Sequence, residues 1–139
     1  MNVLVCGGAG YIGSNMTALL AAEGHEPIVY DNFSKGHRSA VRGVQVVAGD
    51  LADFQGIVRV LKERKIEAVM HFAASIEVGE SVQEPLRYYR NNLSNTQNLL
   101  SAMEAAGVQK FVFSSTAAVY GMPEKVPITE DAPKKPINP

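Results

Sequence analysis

The sequence has no tryptophan and a single cysteine, Cys6. One cysteine excludes an internal disulfide framework as the source of stability. A charge excess of one sign is also missing, since 13 Lys+Arg stand against 14 Asp+Glu for a formal net charge of −1. That balance removes the electrostatic footprint of a nucleic-acid binder or of a protein held on an anionic membrane. No apolar run approaches the roughly 20 residues of a membrane span. The opening Met1-Asn2-Val3-Leu4-Val5-Cys6 carries no basic segment and its apolar run stops at Gly7, so it reads as neither signal peptide nor anchor. No cluster of His, Cys, Asp and Glu has metal-ligand spacing. What is present is an ordinary globular composition, 46% apolar and 19% charged, at a length suited to one domain. The expectation is a soluble cytoplasmic domain without nucleic-acid or membrane partners.

Hydrophobic periodicity alternates between strand and helix along the chain. Val3-Leu4-Val5-Cys6, Pro27-Ile28-Val29-Tyr30, Val44-Gln45-Val46-Val47, Ala68-Val69-Met70-His71-Phe72 and Lys110-Phe111-Val112-Phe113-Ser114 read as five short strands. Helical spacing between them predicts a helix over 11–23 with Ile12, Met16, Leu19 and Leu20 on its apolar positions. A second helix is capped by Asp53 and carries Ile57, Val58, Val60 and Leu61. A long helix runs from about Ser81 to Ala106, with Val82, Leu86, Tyr89, Leu93, Leu100 and Met103 on one side and Gly107 as its left-handed cap. Alternation of this kind predicts an α/β protein with a doubly wound parallel sheet. From Met122 onward the composition changes, with five of the seven prolines at Pro123, Pro127, Pro133, Pro136 and Pro139. Prolines lack a donor and restrain the residue before them, so 122–139 reads as an extended loop. Domain organisation is therefore expected as 1–121, folded, followed by the proline-rich segment 122–139.

Gly7-Gly8-Ala9-Gly10-Tyr11-Ile12-Gly13 lies directly between the first strand and the first helix. Glycines at Gly7, Gly10 and Gly13 suit a sharp turn, a close backbone approach to a pyrophosphate and tight helix packing, the signature of a Rossmann fold. The helix N-terminus adds free N–H groups and a partial positive charge for the phosphates. Asp31 ends the second strand, 18 residues after Gly13. A carboxylate there accepts hydrogen bonds from the adenosine ribose and repels a 2′-phosphate, which favours NAD over NADP. Asp50 follows the third strand within reach of an adenine amino group, although alone it is equally a capping or solvated residue. Phe72-Ala73-Ala74 follows the fourth strand, where the small Ala73 and Ala74 would let a cofactor cross the strand end. No Gly-Lys-Ser/Thr follows the glycines, so a P-loop is excluded. His71, on an apolar strand, reads as a packed core histidine, and Cys6 as a small buried hydrophobe.

Together the stretches GGAGYIGSN (7–15), DN (31–32), GDL (49–51), HFAA (71–74), VGESVQEPLRYYRNN (78–92) and FSSTAAVYG (113–121) resemble the extended short-chain dehydrogenase/reductase family, in its sugar-nucleotide epimerase branch. The resemblance implies NAD contacts from Tyr11, Ile12, Asp31, Asn32, Phe33, Ser34, Asp50, Leu51, Phe72, Ala73, Ala74, Asn91 and Ser114. It implies that Thr116 is the catalytic hydroxyl, bonding O4 of a UDP-sugar substrate such as UDP-glucose or UDP-galactose. It also implies a homodimer, with the 81–106 helix forming part of the interface.

Two departures from the family pattern stand out. Ile76 occupies a place where some relatives carry a lysine near the cofactor phosphates. The family's base is the tyrosine of a Tyr-x-x-x-Lys pair, and none of Tyr11, Tyr30, Tyr88, Tyr89 and Tyr120 has a lysine four residues later. The 139 residues therefore read as an N-terminal fragment that ends in the loop before that pair, with the sheet cut after about five strands. Alone they are expected to bind NAD weakly and to turn nothing over. Alternatives within the family are a UDP-glucuronate epimerase or decarboxylase and a dTDP-glucose 4,6-dehydratase. The dehydratase is disfavoured because Ala117 and Ala118 stand where it places an acidic pair. A non-catalytic NAD-binding module is the alternative of a different class.

Overall fold

The structure, a computed structural model, describes residues 1–139. An uninterrupted apolar strand needs cover on both faces, and the first one has it. β1 (Asn2–Cys6) is the central strand of a five-stranded parallel sheet in the order β3-β2-β1-β4-β5. Val3 to Cys6 are each no more than 2% exposed. β2 (Glu26–Asp31) and β4 (Ala68–His71) flank β1, while β3 (Gln45–Ala48) and β5 (Lys110–Phe113) form the edges. In register, Cys6 stands beside Tyr30 on one side and His71 on the other, so the three central strands end level. The chain winds outward from β1 to β3, then crosses back to β4. The reversal lies between β1 and β4, where sheets of this type bind ligands at the carboxyl ends of the strands.

Helices cover the two faces unequally. α2 (Phe54–Glu63) and α5 (Asn95–Ala106) share one face, where Ile57, Leu61, Leu99 and Met103 join Leu4, Ile28 and Val69 in the main core. α1 (Tyr11–Ala22) covers the other, beside a small cluster of Ala9, Val29 and Val41. Asp53 caps α2 as expected, its Oδ1 accepting from the Gly56 N–H at 2.9 Å. Gly107 ends α5 with φ 74°, and the Gly107 and Val108 N–H groups donate back to Glu104 and Met103. That is the double bond pattern of a glycine-terminated helix. No helix is long and apolar enough to cross a membrane. Residues 122–139 contain no helix or strand, in keeping with their prolines.

Two helical expectations are corrected. On α1, Ile12 and Leu19 are 57% and 53% exposed, and the buried residues are Gly13 and Thr17. The helix lies so close to the turn before it that a β-carbon at Gly13 would strike the Gly7 carbonyl, so small residues replace large apolar ones at the contact. The expected single helix over 81–106 is broken once: α3 (Val78–Gln83) ends at Glu84, and α4 (Pro85–Tyr88), a π-helical turn (Tyr89–Ser94) and α5 then follow in unbroken helical backbone. Glu84, at φ −124° and ψ 57°, leaves the helical region because the residue before a proline avoids it, and Pro85 restarts the helix at its first position. Across this break the Tyr88 hydroxyl donates to Glu80 Oε2 at 2.6 Å and Arg87 pairs with Glu80 Oε1 at 2.7 Å. These contacts, the Tyr88 hydrogen bond first, hold the Glu80 carboxyl below its ordinary pKa.

The apolar side expected of that helix faces outward. Val82, Leu86, Tyr89, Leu93 and Leu100 are exposed, and of the stripe only Met103 is buried. The core contact comes instead from Tyr88, Leu99 and Ala102. Truncating a fully buried leucine removes its transfer energy and leaves a cavity. Leu99→Ala is expected to cost about 2–5 kcal/mol in urea denaturation. A loss below about 1 kcal/mol would contradict its place between α2, α5 and the sheet.

Candidate functional site

The glycine-rich turn sits at the reversal point between β1 and β4. Gly7 has φ 74°, and a β-carbon there would lie 2.6 Å from the Ala73 nitrogen and 2.8 Å from the Phe72 carbonyl carbon. The turn leaving β1 thus packs backbone to backbone on the loop leaving β4. Gly13 is demanded by helix packing, as described above. Gly10 differs, because its φ of −78° suits any residue and a β-carbon would meet only the Gly7 carbonyl, at 3.4 Å. The fold hardly needs glycine there, yet Gly10 lines the cleft and its missing side chain leaves that wall bare. Gly10 also caps α1 without any side-chain hydrogen bond. The first-turn N–H groups of α1 have no intrahelical acceptor and remain available to an anion. These features fit a pyrophosphate.

Two carboxylates, Asp31 and Asp50, close one end of the cleft, and both already hold backbone. Asp31 is 8% exposed, with Oδ2 accepting from the Ala9 N–H at 2.9 Å and Oδ1 from the Phe33 N–H at 2.8 Å. Asp50 accepts from the Ala52 N–H at 2.9 Å and from the Asn32 amide at 2.8 Å. Each carboxylate oxygen keeps a second lone pair, so neither is closed to a ligand hydroxyl or amine. Tyr30 supports the turn between them, donating its hydroxyl to the Asp50 carbonyl at 3.0 Å while its ring packs against Gly49. Burial first, then the nearby Asp53 carboxylate, pushes the Tyr30 phenol up to about 12, so it remains a proton donor.

The fourth side of the cleft is the loop after β4. Asn92 brackets Ser75, its Oδ1 accepting from the Ser75 N–H at 2.8 Å and its Nδ2 donating to the Ser75 carbonyl at 2.9 Å. Asn91 donates to Asn92 Oδ1 at 2.9 Å. Both asparagines lie in the π-helical turn, a departure from α geometry found often at functional sites.

A larger cavity of about 580 Å³ opens on the other side of Phe72–Ser75. Ile12, Ser114, Thr116, Ala118 and the chain's Asn138 and Pro139 line it. Thr116 is exposed, and its Oγ1 accepts from the Ala118 N–H at 3.1 Å, capping the short turn Ala117–Tyr120. That contact uses a lone pair and leaves the hydroxyl proton free to donate. His71 lies beneath the cavity, 2% exposed, with Nε2 against Thr96 Oγ1 at 2.8 Å. The Thr96 hydroxyl gives its own proton to the Asn92 carbonyl at 2.7 Å, so it accepts from His71 Nε2–H. His71 Nδ1 has no partner, and burial lowers the imidazole pKa to about 4. Cys6 is fully buried, and burial and then the Asp31 carboxylate push its thiol up, which makes it inert.

Of the residues expected from sequence, Gly7, Gly10, Asp31, Asn32, Ser34, Asp50, Leu51 and Asn91 meet in the first cleft. Phe72, Ala73 and Ala74 form a wall common to both cavities. Ile12, Ser114 and Thr116 lie in the second. Three line neither: Gly13 is buried, Tyr11 is 88% exposed, and Phe33 packs on the Ala9–Val29–Val41 cluster beneath Arg38. Sequence reasoning missed Tyr30, Lys35, Gly36, Gly49, Ser75 and Asn95, all of which line the first cleft. A signal existed for Asn95, four residues beyond Asn91 on one helix, and for Gly36 and Gly49, glycines beside the acid-bearing strand ends.

The family profile described as NAD dependent epimerase/dehydratase matches residues 3–139. The chain belongs to this family. It is 52% identical over 138 residues to a UDP-glucose 4-epimerase of Rhizobium meliloti, a match covering 99% of this chain and 42% of that protein. Among solved structures, UDP-glucose 4-epimerase from Brucella ovis in complex with NAD superposes with a TM-score of 0.95 at 50% identity, over 99% of this chain and 42% of that one. The Bifidobacterium longum enzyme in complex with NAD+ and UDP gives 0.91 at 38% identity, over 97% of this chain and 43% of that one. The chain thus spans about two fifths of the length of these relatives.

The glycines can be told apart by experiment. Gly13→Ala, which forces backbone apart, is expected to destabilise the fold by about 1–3 kcal/mol. Gly10→Ala should leave the melting temperature close to wild type while weakening nucleotide binding, and an equal loss of stability in both variants would reject the distinction. His71 yields a pH prediction. Its folded pKa of about 4 lies below the unfolded value of 6.5, so the unfolded chain binds the extra proton. Stability is therefore full above pH 6.5 and falls as pH drops toward 4, by up to about 1.4 kcal/mol per pH unit. Denaturation curves of His71→Phe should lack that slope.

Proposed function

We propose that this chain is the cofactor-holding part of an NAD-dependent UDP-glucose 4-epimerase, interconverting UDP-glucose and UDP-galactose in galactose metabolism. The observation that carries the reading is the shape of the site. Two cavities share the wall Phe72–Ser75, and the phosphate-type turn lies where they meet. One cavity holds the carboxylates suited to adenosine, and the other holds the hydroxyl of Thr116. That is the outline of a dinucleotide with a reacting end. Gly7, Gly10 and Gly13 shape the turn, the N–H groups of Tyr11 and Ile12 face the phosphates, and Asp31, Asn32, Phe33, Ser34, Asp50 and Leu51 surround the adenosine. Ala73, Ala74, Asn91 and Ser114 flank the rest.

NAD, when bound, supplies reversible oxidation and reduction at the sugar's C4. This chain's share is to bind the nucleotide, shield the second cavity and place the Thr116 hydroxyl. The Thr116 proton donates to the sugar O4 and holds that oxygen toward the base. The base itself is the tyrosine of a Tyr-x-x-x-Lys pair, absent from these 139 residues. Asn138 and Pro139 line the cavity with Thr116, so the proline-rich segment reaches the same cavity as the hydroxyl. Residues 1–121 are the nucleotide-binding part, and 122–139 lead toward the catalytic pair and the sugar-binding part.

The exposed Val82, Leu86, Tyr89, Leu93 and Leu100 make an apolar surface suited to pairing with a second subunit, which favours a homodimer. A cytoplasmic location suits a nucleotide-sugar substrate and a free buried thiol.

Calorimetry should show NAD binding at least about tenfold more tightly than NADP, because Asp31 repels a 2′-phosphate. Equal affinities would remove that role. In the full-length protein, Thr116→Val should slow epimerisation by roughly 10²-fold, the scale of a positioned proton donor. An unchanged rate would reject Thr116 as a participant.

A further inference from the structure

The phosphate-type turn is hydrogen-bonded from outside at Gly7 and at Ala9. The Gly7 N–H continues the sheet by donating to the Tyr30 carbonyl of β2, and the Gly10 N–H donates within the turn to the Gly7 carbonyl. Ala9 instead reaches across to the segment after β2 through both of its backbone polar groups. Its N–H donates to Asp31 Oδ2 at 2.9 Å, and its carbonyl accepts from the His37 N–H at 3.0 Å. Ala9 is 2% exposed, and its methyl packs with Val29 and Val41. A β-carbon at Gly36 would lie 2.8 Å from both the carbonyl carbon and the β-carbon of Ala9, so the two segments touch where one has no side chain.

The Asp31 carboxylate straddles the two segments. Oδ2 takes the Ala9 N–H, and Oδ1 takes the Phe33 N–H at 2.8 Å. Phe33 sits at φ 57°, a left-handed backbone unusual for a bulky residue, and its ring packs on the Ala9 cluster with the Arg38 guanidinium 5.7 Å from the ring centroid. Two converging N–H donors need two acceptors. An asparagine offers only one, and its NH₂ would face a donor.

We propose that Asp31 is a positioning residue for the phosphate-binding turn, acting through Ala9 and independently of any contact with the adenosine ribose. It rests on the dinucleotide reading of the cleft. The clamp sets the direction of the turn's backbone before a ligand arrives, and Gly36 permits the close approach. Ribose hydroxyls use the remaining lone pairs of the same carboxylate, so the two roles coexist.

The sign of one substitution separates this from simple ribose recognition. Removing a negative charge beside a pyrophosphate should by itself tighten binding of a ligand without ribose hydroxyls. Losing the clamp should weaken it. Calorimetry on the full-length protein would compare ADP with 2′,3′-dideoxy-ADP for wild type, Asp31→Asn and Gly36→Ala. Asp31→Asn is expected to bind dideoxy-ADP about tenfold more weakly, the scale of one buried N–H left unpaired. Gly36→Ala, which keeps the carboxylate, should show a similar loss with the ADP to dideoxy-ADP ratio of wild type. The Ala9 amide proton should exchange faster with solvent in both variants. Unchanged or tighter dideoxy-ADP binding by Asp31→Asn overturns the clamp while leaving the cofactor reading intact. Should Asp31→Asn not fold, unchanged dideoxy-ADP binding by Gly36→Ala overturns it instead. If wild type binds neither nucleotide, the dinucleotide reading falls and the clamp with it.

Discussion

Between the carboxyl ends of β1 and β4 the chain leaves no room for a methyl group. Gly7 lies against the backbone of Phe72 and Ala73, so the turn that starts α1 and the loop that follows β4 are set by one contact. Parallel strands lie about 4.8 Å apart, and this contact carries that spacing past the ends of the strands. Much of the site inherits its position from it. The uncapped N-terminus of α1 is aimed along one side of the contact, and the wall shared by the two cavities stands on the other. A bulkier turn would separate the cavities and leave no continuous path for a ligand longer than a mononucleotide.

Side chains that would conventionally be read as ligand contacts spend much of their bonding capacity on backbone. Asp50 holds Asn32 and Ala52, Asn92 brackets Ser75, and Tyr30 braces the turn carrying Asp50. The site is thereby ordered before anything binds, which lowers the entropic cost of binding. His71 and Thr96 extend the same logic beneath the second cavity, as their hydrogen bond links β4 to the helical segment that carries Asn92. Apolar packing reaches the same loops, since Tyr30 and Leu51 of the cleft belong to the main core under α2 and α5 and Ala73 packs against it.

Legibility in the sequence followed how local each cause was. Strand positions were readable because an unbroken apolar run such as Val3–Cys6 marks a strand covered on both faces, and the glycine turn because its spacing falls directly between a strand and a helix. Asp53 and Gly107 were readable as caps because a cap acts within one helical turn. The inward side of α1 was not, because Gly13 and Thr17 are buried by a close approach that apolar spacing does not register. Pro85 stood in plain view within the expected long helix, yet the regular spacing of Leu86, Tyr89 and Leu93 argued for continuity. Those residues share spacing because they share the outer surface, not the core. Asn92 carries no signal of its own in the sequence beside Asn91. Its bond to Ser75 spans 17 positions, and no pattern along the chain announces a pairing of that range.

The π-helical turn at Tyr89–Ser94 has a consequence for how this segment tolerates change in length. An α-helix advances about 100° per residue, and a π turn takes up one residue more than an α turn over the same rise. The turn therefore absorbs a residue that an α-helix would not hold, without altering the rotation of α4 against α5. Deleting one residue from it would restore α geometry and leave Tyr88 and Leu99 facing the core together. What the deletion would lose is the bulged turn itself, and with it the placing of Asn92 against Ser75. Outside the turn the segment has no such allowance, because one residue removed from an α-helix rotates everything beyond it by about 100°.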